Sequence, residues 1–295
     1  MLQQFIVSGI AIGSVYSLIA LGFQITYSVS QTMNFSQGTS VMLGAVICYW
    51  FNITLGWHIA IAIPLSLISC AVIGLIIERI AVRPFAINGS NSWLLTTIAL
   101  GIIFENLTML IFGKEVRAYP SVLVQTPVDI LGFGVFPLEL LTPVVVGAIA
   151  FLLRLTFTRT LWGKAFTAVS ENSDAAKIMG IDVEGIISFS FILSTILAGV
   201  AGILIAPIYN VSAGMGTLLG LKAFATAIIG GLDSPWGIAL AGIFYGVSES
   251  LAVGYLGGSY RDIVGFSIVI LTLVLKPIGV GNLKYGFKKR RSPIE

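Results

Sequence analysis

The polar residues that interrupt long apolar runs are the chemically informative ones in this sequence. Glu105 and Asn106 break IALGIIFENLTML, Ser248 and Glu249 break FYGVSESLAVG, and Lys222 precedes AFATAIIGG. A charged group in such a run is costly unless it faces protein or water, so each is a candidate for a solute path through a membrane. An ion pair that fixes a helix bundle, for instance Lys222 with Glu249, is the structural alternative. A second cluster lies in QTMNFSQG, where Gln31, Asn34, Ser36 and Gln37 stand beside Gly38. Neutral amides and hydroxyls at a helix start suit weak contact with a polar solute, and unpaired backbone N–H groups there favour a carboxylate. The same residues also read as a helix entry capped by Asn34 or Ser36.

Enzymatic chemistry lacks its usual residue sets. The one histidine, His58, stands next to Trp57 at the expected outer end of a span, where interfacial amphipathic residues gather, and no metal set can be built around it. No GxSxG, HExxH or CxxC motif occurs, and no GxxxxGK(S/T) phosphate loop is present, so the chain does not bind and hydrolyse ATP in the P-loop manner by itself. Cys48 and Cys70 both fall inside apolar runs and read as small packing residues.

The elements that must carry these residues follow from composition. Of 295 residues, 57% are hydrophobic and 10% charged, against about 25% charged in ordinary globular domains. The first charged side chain is Glu78, so the opening 77 residues are uncharged, enough for about three spans of roughly 20 residues. The fold expected is an all-α, polytopic membrane bundle forming a single domain over 1–295. The uncharged start, with an apolar run from Phe5 to about Tyr27, reads as a first span and not as a cleaved signal peptide. Apolar segments fall near 5–27, 35–53, 57–77, 92–112, 138–157, 187–209, 217–232, 236–256 and 261–280, giving about eight or nine membrane segments. The 217–232 segment is short and carries Lys222, Gly230 and Gly231, so it reads as a partial or re-entrant piece. Proline and repeated glycine between Pro207 and Gly220 point to broken helix lining protein or water.

Basic residues orient the bundle. If all nine segments cross, Arg79, Arg83, Arg154, Arg159, Lys164, Lys177, Lys276 and the tail residues Lys284, Lys288, Lys289, Arg290 and Arg291 share one side, which is then the cytoplasm. The N-terminus then lies outside and the C-terminus inside; a 217–232 segment that re-enters without crossing would turn the basic tail outward, which the positive-inside rule disfavours, so an odd number of crossings after residue 187 is expected. The basic tail reads as a membrane-flanking segment, and nucleic-acid binding is not expected. Between spans, 113–137, with Pro120, Pro127 and Pro137, is expected to cap the outer mouth, and 159–185 is the long hydrophilic stretch facing the cytoplasm. Small residues at four-residue spacing (Gly9, Gly13 and Ser17; Gly242, Gly246 and Ser250; Ala198 and Gly202) call for close helix packing, within the chain or between subunits.

Three ordered blocks, GSVYSLIALGFQITYSVSQTMNFSQGTSVMLGA, GKAFTAVSENSDAAKIMGID and KAFATAIIGGLDSPWGIALAGIFYGVSES, resemble the permease subunits of branched-chain amino acid ABC importers, the LivH/LivM type. The resemblance runs along essentially the whole chain. It implies a subunit of the bacterial inner (plasma) membrane that forms a path with a second permease, as a homo- or heterodimer. Two cytoplasmic ATPases, which hold ATP and magnesium, would drive it, and a periplasmic binding protein would deliver the solute. It also implies an ATPase-coupling loop at Gly163, Lys164, Glu171, Asn172, Asp174, Ala175, Ala176 and Gly180, in which Asp174, Ala175, Ala176 and Gly180 reproduce an EAAxxxG-like pattern with Asp for Glu. No IxLP follows Gly180, which separates the chain from the other large class of importer permeases. A solvated connector with an N-capped helix is the plainer reading of that loop. The expected mechanism is alternating access driven through the loop. Candidate path residues are Asn34, Ser36, Gln37, Gly38, Glu105, Asn106, Lys222, Ser248 and Glu249. Urea, amides or organic acids are alternative cargoes. A self-sufficient carrier or channel and a structural anchoring subunit are rival functions.

Overall fold

The computed structural model describes residues 2–86, 92–130 and 133–275. Lys276 and the basic tail, with their part of the orientation argument, lie outside the described residues. In chain order the helices are α1 (Leu2–Ser30), α2 (Gln37–Tyr49), α3 (Ile59–Ile77), α4 (Arg83–Ala86), α5 (Trp93–Phe112) and α6 (Val122–Gln125). A small antiparallel hairpin, β1 (Val128–Ile130) with β2 (Phe133–Val135), pairs Val128 with Val135. Then follow α7 (Pro137–Arg159), α8 (Leu161–Glu171), α9 (Ser173–Ile178), α10 (Val183–Tyr209), α11 (Met215–Gly230), α12 (Pro235–Leu256) and α13 (Arg261–Leu275). Wide π-turns at Trp50–Thr54 and Glu78–Val82 extend α2 and α3.

Among the described residues, six helical stretches are long and apolar enough to cross a bilayer: Leu2–Ser30, Ile59–Phe85, Trp93–Phe112, Pro137–Arg159, Val183–Tyr209 and Pro235–Leu256. The other three expected segments correspond to shorter helices. The 16 residues of α11 span roughly 24 Å against a hydrocarbon core of about 30 Å. α2 has 13 residues and α13 15 in helical conformation. The count of eight or nine thus includes pieces shorter than a full crossing.

α1 is the central helix, buried along most of its length and packed on α12, α10, α11 and α7. Several of its hydroxyls turn back onto its own carbonyls, as Ser14 does to Ile10 and Ser30 to Thr26, which satisfies them where water is absent. Close approach to α12 needs residues without side chains: Gly13 and Gly246 stand backbone to backbone, and a Cβ on either would overlap the opposing chain. The small-residue stripes at Gly9, Gly13, Gly242 and Gly246 are therefore used inside this chain. α7 lies at the periphery, its apolar side chains mostly exposed on the surface of the bundle.

The helix ends sort onto two faces. At one, Val29, Val169, Ala176 and Ile186 form a cluster that joins the end of α1 to α8, α9 and the start of α10. Arg83 meets Glu184 there, and Thr96 donates to the Ala81 carbonyl. At the other, Arg117 and Val211 exchange backbone hydrogen bonds, Tyr119 donates to Asn52, and Ser8 donates to Glu139. The segments 113–137 and 159–185 thus stand at opposite ends. Both cysteines are buried and free, and His58 caps α3 by accepting the Ala60 N–H.

Candidate functional site

The QTMNFSQG segment forms a buried helix start. Asn34 Oδ1 accepts from the Ser36 backbone N–H at 3.1 Å and from the Ser36 hydroxyl, while Asn34 Nδ2 donates to Gln37 Oε1. Gln37 Nε2 donates to the Ser194 carbonyl at 3.0 Å. Ser194 Oγ lies 2.8 Å from the Gly22 carbonyl and 3.0 Å from Gln37 Oε1. Asn34, Ser36 and Gln37 are fully enclosed, and these bonds join α2 to α1 and α10 in mid-bundle. Ser36 occupies the N-cap position without a side-chain cap bond, so Asn34 organises the turn. Gly38 lies against Gly216 and Gly220 of α11.

Beside this helix start runs a groove between α5 and α11, a cavity of about 250 Å³. Ile98, Gly101, Ile102 and Glu105 contribute from α5; Thr217, Gly220, Leu221 and Phe224 contribute from α11. Both sets have spacing 3, 1, 3, which lines one face of each helix. Thr217 Oγ1 donates to Glu105 Oε2 at 3.0 Å. Phe224 packs edge-on to Phe23 and tilted against Phe35 at the far end. Asn106 points away from the groove, exposed, with Nδ2 donating to the Ile102 carbonyl.

The ion pairs among the described residues form two clusters. Lys222 Nζ donates to Glu249 Oε1 at 2.5 Å and to Asp262 Oδ1 at 2.8 Å. Arg261 Nε reaches the same Glu249 oxygen at 2.7 Å, and Tyr16 donates to Glu249 Oε2 at 2.8 Å. Two cations and two anions thus balance, tying α1, α11, α12 and the start of α13 together. Ser248, next to Glu249 in sequence, lies round the helix and donates to Phe244 O. The second cluster closes the opposite end: Arg83 Nε donates to buried Glu78 at 2.8 Å, with Glu184 and Ser188 adjoining.

The loop after α7 is built as two capped helices. Thr160 caps α8 through the Gly163 N–H, and Gly163 itself packs on the Phe157 backbone with no room for a side chain. Asn172 caps α9 through the Ala175 N–H, and Asp174 lies in its first turn, where the helix dipole favours a carboxylate. At the other end Gly180 adopts φ +83°, the Gly180 N–H bonds to Lys177 O, and the Ile181 N–H to Ala176 O. That pairing is a Schellman stop, in which glycine takes the left-handed position without strain. Lys164, Glu171, Asn172, Asp174 and Ala175 are exposed, whereas Ala176 faces inward among Val29, Val169 and Ile186.

Sequence reasoning left Tyr16, Glu78, Ser194, Thr217, Arg261 and Asp262 without roles. Glu78 and Arg83 stand five apart, a spacing that an α-helix does not bring to one face and that the π-turn at Glu78–Val82 does; the others meet partners more than ten residues away, which spacing does not reveal.

The structure is thus a bundle of long apolar helices with buried polar groups and a groove between α5 and α11. A family model described as branched-chain amino acid transport system, permease component, matches residues 5–273, and the chain belongs to that family. It is 32% identical over 294 residues to the high-affinity branched-chain amino acid transport system permease protein BraD of Pseudomonas aeruginosa, covering 95% of each chain. It is 29% identical over 288 residues to the corresponding LivH of Escherichia coli, covering 92% of this chain and 93% of that one. Among solved structures, PsaBC from Streptococcus pneumoniae in complex with Fab superposes with a TM-score of 0.51 at 16% identity. That match covers 96% of this chain and 94% of the other, a likeness of fold.

Proposed function

We propose that this chain is one permease subunit of an ATP-driven importer for branched-chain or other amino acids. A second permease completes the path, two cytoplasmic ATPases holding ATP and magnesium drive it, and a periplasmic binding protein delivers the solute at the 113–137 end. The chain then sits in the bacterial inner membrane with its N-terminus outside and its C-terminus in the cytoplasm. Arg79, Arg83, Arg154, Arg159, Lys164 and Lys177 collect toward the α8–α9 end, which supports that end as cytoplasmic.

The observation that carries this reading is the shape of α9. Fixed by Asn172 at one end and Gly180 at the other, it presents Ile178 and Met179, 86% and 81% exposed, beside exposed Ala175. Large apolar side chains held rigidly in a hydrophilic loop suit a protein groove. Closure of the ATPases would move α9, and through Ala176 and Ile186 the ends of α1 and α10, switching access from one side to the other.

The test is co-purification in mild detergent. The companion ATPase accompanies wild type and is lost from Ile178→Glu and Ala175→Glu, while the chain elutes unchanged. An ATPase missing from wild type, with leucine uptake by liposomes holding this chain alone, would establish a self-sufficient carrier instead. The mutual neutralisation of Lys222, Glu249, Arg261 and Asp262 favours the importer, since those ions are occupied with one another. Competition of leucine uptake by urea, short amides and organic acids reads the cargo.

A further inference from the structure

The groove between α5 and α11 holds a charged side chain that the bundle's own packing does not neutralise. Glu78 and Glu249 are each matched by a guanidinium or an ammonium. Glu105 has no cationic partner among the described residues, only the Thr217 hydroxyl. It lies 12 residues into the 20-residue α5, well inside the apolar stretch. A carboxylate at that depth facing hydrocarbon is strongly disfavoured, so the α5–α11 face must meet protein or water. This chain leaves the face open: Ile102 is 56% exposed and Leu221 46%.

From this we infer that the groove is this chain's half of the solute path, and that Glu105 takes the ammonium group of an apolar amino acid in transit. The inference rests on the function proposed above and names the contact that function requires. Thr217 and Phe224 are seven residues apart on α11, roughly 10 Å along the axis. A carboxylate at one end and the Phe23, Phe35 and Phe224 rings at the other therefore match a solute with a cationic amino group and an apolar side chain. The solute carboxylate stays hydrated on the open side. The volume of about 250 Å³ lies just under the range of about 300–1,000 Å³ usual for ligand pockets and suits one small solute. A single ammonium contact with no enclosing set of donors keeps binding weak, as release to the other side requires.

The experiment uses intact cells producing the chain with its companion subunits, and two readouts. Glu105→Gln keeps the size of the side chain and the acceptor for Thr217 but removes the charge. Leucine uptake falls by about tenfold or more, as expected for loss of a charge-assisted contact, and Glu105→Asp recovers part of it. The second readout does not depend on transport. In a chain with Cys48 and Cys70 changed to Ala, Ile102→Cys is modified by a membrane-impermeant trimethylammonium methanethiosulfonate. Leucine slows that reaction, and Val144→Cys on the exposed face of α7 stays unmodified. Wild-type uptake by Glu105→Gln, or an Ile102→Cys as inert as Val144→Cys, overturns the inference. The ATPase co-purifies with Glu105→Gln as with wild type, so either result leaves the proposed function standing. Absence of the ATPase from wild type removes that function and this inference together.

Discussion

Lys222 on α11 and Glu249 on α12 meet at 2.5 Å with side chains 4% and 1% exposed, and each has a second partner, Asp262 for the lysine and Arg261 for the carboxylate. Removing one member of a buried pair typically costs about 3–5 kcal/mol, because the other charge is left without its match. Here Arg261 still faces Glu249, so Lys222→Met is expected near the lower end of that range. Replacing both, as Lys222→Met with Glu249→Gln, is expected to recover part of the loss. Thermal unfolding in detergent of the two single variants and the double variant checks this, and a strictly additive double variant would contradict it.

Ala175 and Ala176 are neighbours with opposite surroundings. Ala176→Glu forces a carboxylate into the Val29, Val169 and Ile186 cluster and is expected to destabilise the loop by about 2 kcal/mol or more. Ala175→Glu is expected to stay within about 0.5 kcal/mol. Limited proteolysis across 159–185 separates them: rapid cleavage in Ala176→Glu and wild-type resistance in Ala175→Glu.

Gly246 packs on the backbone of Gly9 and Gly13. Gly246→Leu pushes α12 off α1 and is expected to cost at least about 1–3 kcal/mol, the usual range for overpacking. Gly147, with open space around its α-carbon, tolerates the same change. Comparing the folded yield of Gly246→Leu and Gly147→Leu by size-exclusion profile decides it; equal profiles would refute the close approach.

Gln37 and Ser194 connect the start of α2 to α10. A double-mutant cycle of Gln37→Leu and Ser194→Ala is expected to give a coupling of about 0.6 kcal/mol, with roughly 1.7 as the upper bound for bonds between membrane helices. A coupling near zero, measured by unfolding in mixed micelles, would mean that the pair does not hold the two helices together.

Much of this architecture is legible in linear form. Runs of apolar residues mark the helices, because a chain in hydrocarbon must satisfy each backbone group within its own segment. The short length of α11, the paired stripes of glycine and the helix stop at Gly180 are likewise local properties, set by residue count and by the absence of a side chain. The family is legible for the same reason, since its three blocks are contiguous. Boundaries were less so: the expected 35–53 segment contains a 13-residue α-helix followed by a π-turn, a switch in hydrogen bonding that no spacing rule announces.

What the tertiary structure decided is which polar residues are occupied and which are open. Asn34, Ser36, Gln37, Glu105, Lys222 and Glu249 look alike in sequence, each a polar interruption of an apolar run. Folding joins Lys222 and Glu249 to each other and to Arg261 and Asp262, encloses Asn34, Ser36 and Gln37 among their own partners and Ser194, and leaves Glu105 facing a groove with a single hydroxyl. The partners lie as far as 233 residues away, as for Tyr16 and Glu249. Hydropathy and helical period carry no information at that range; the pairing exists only once the helices have packed.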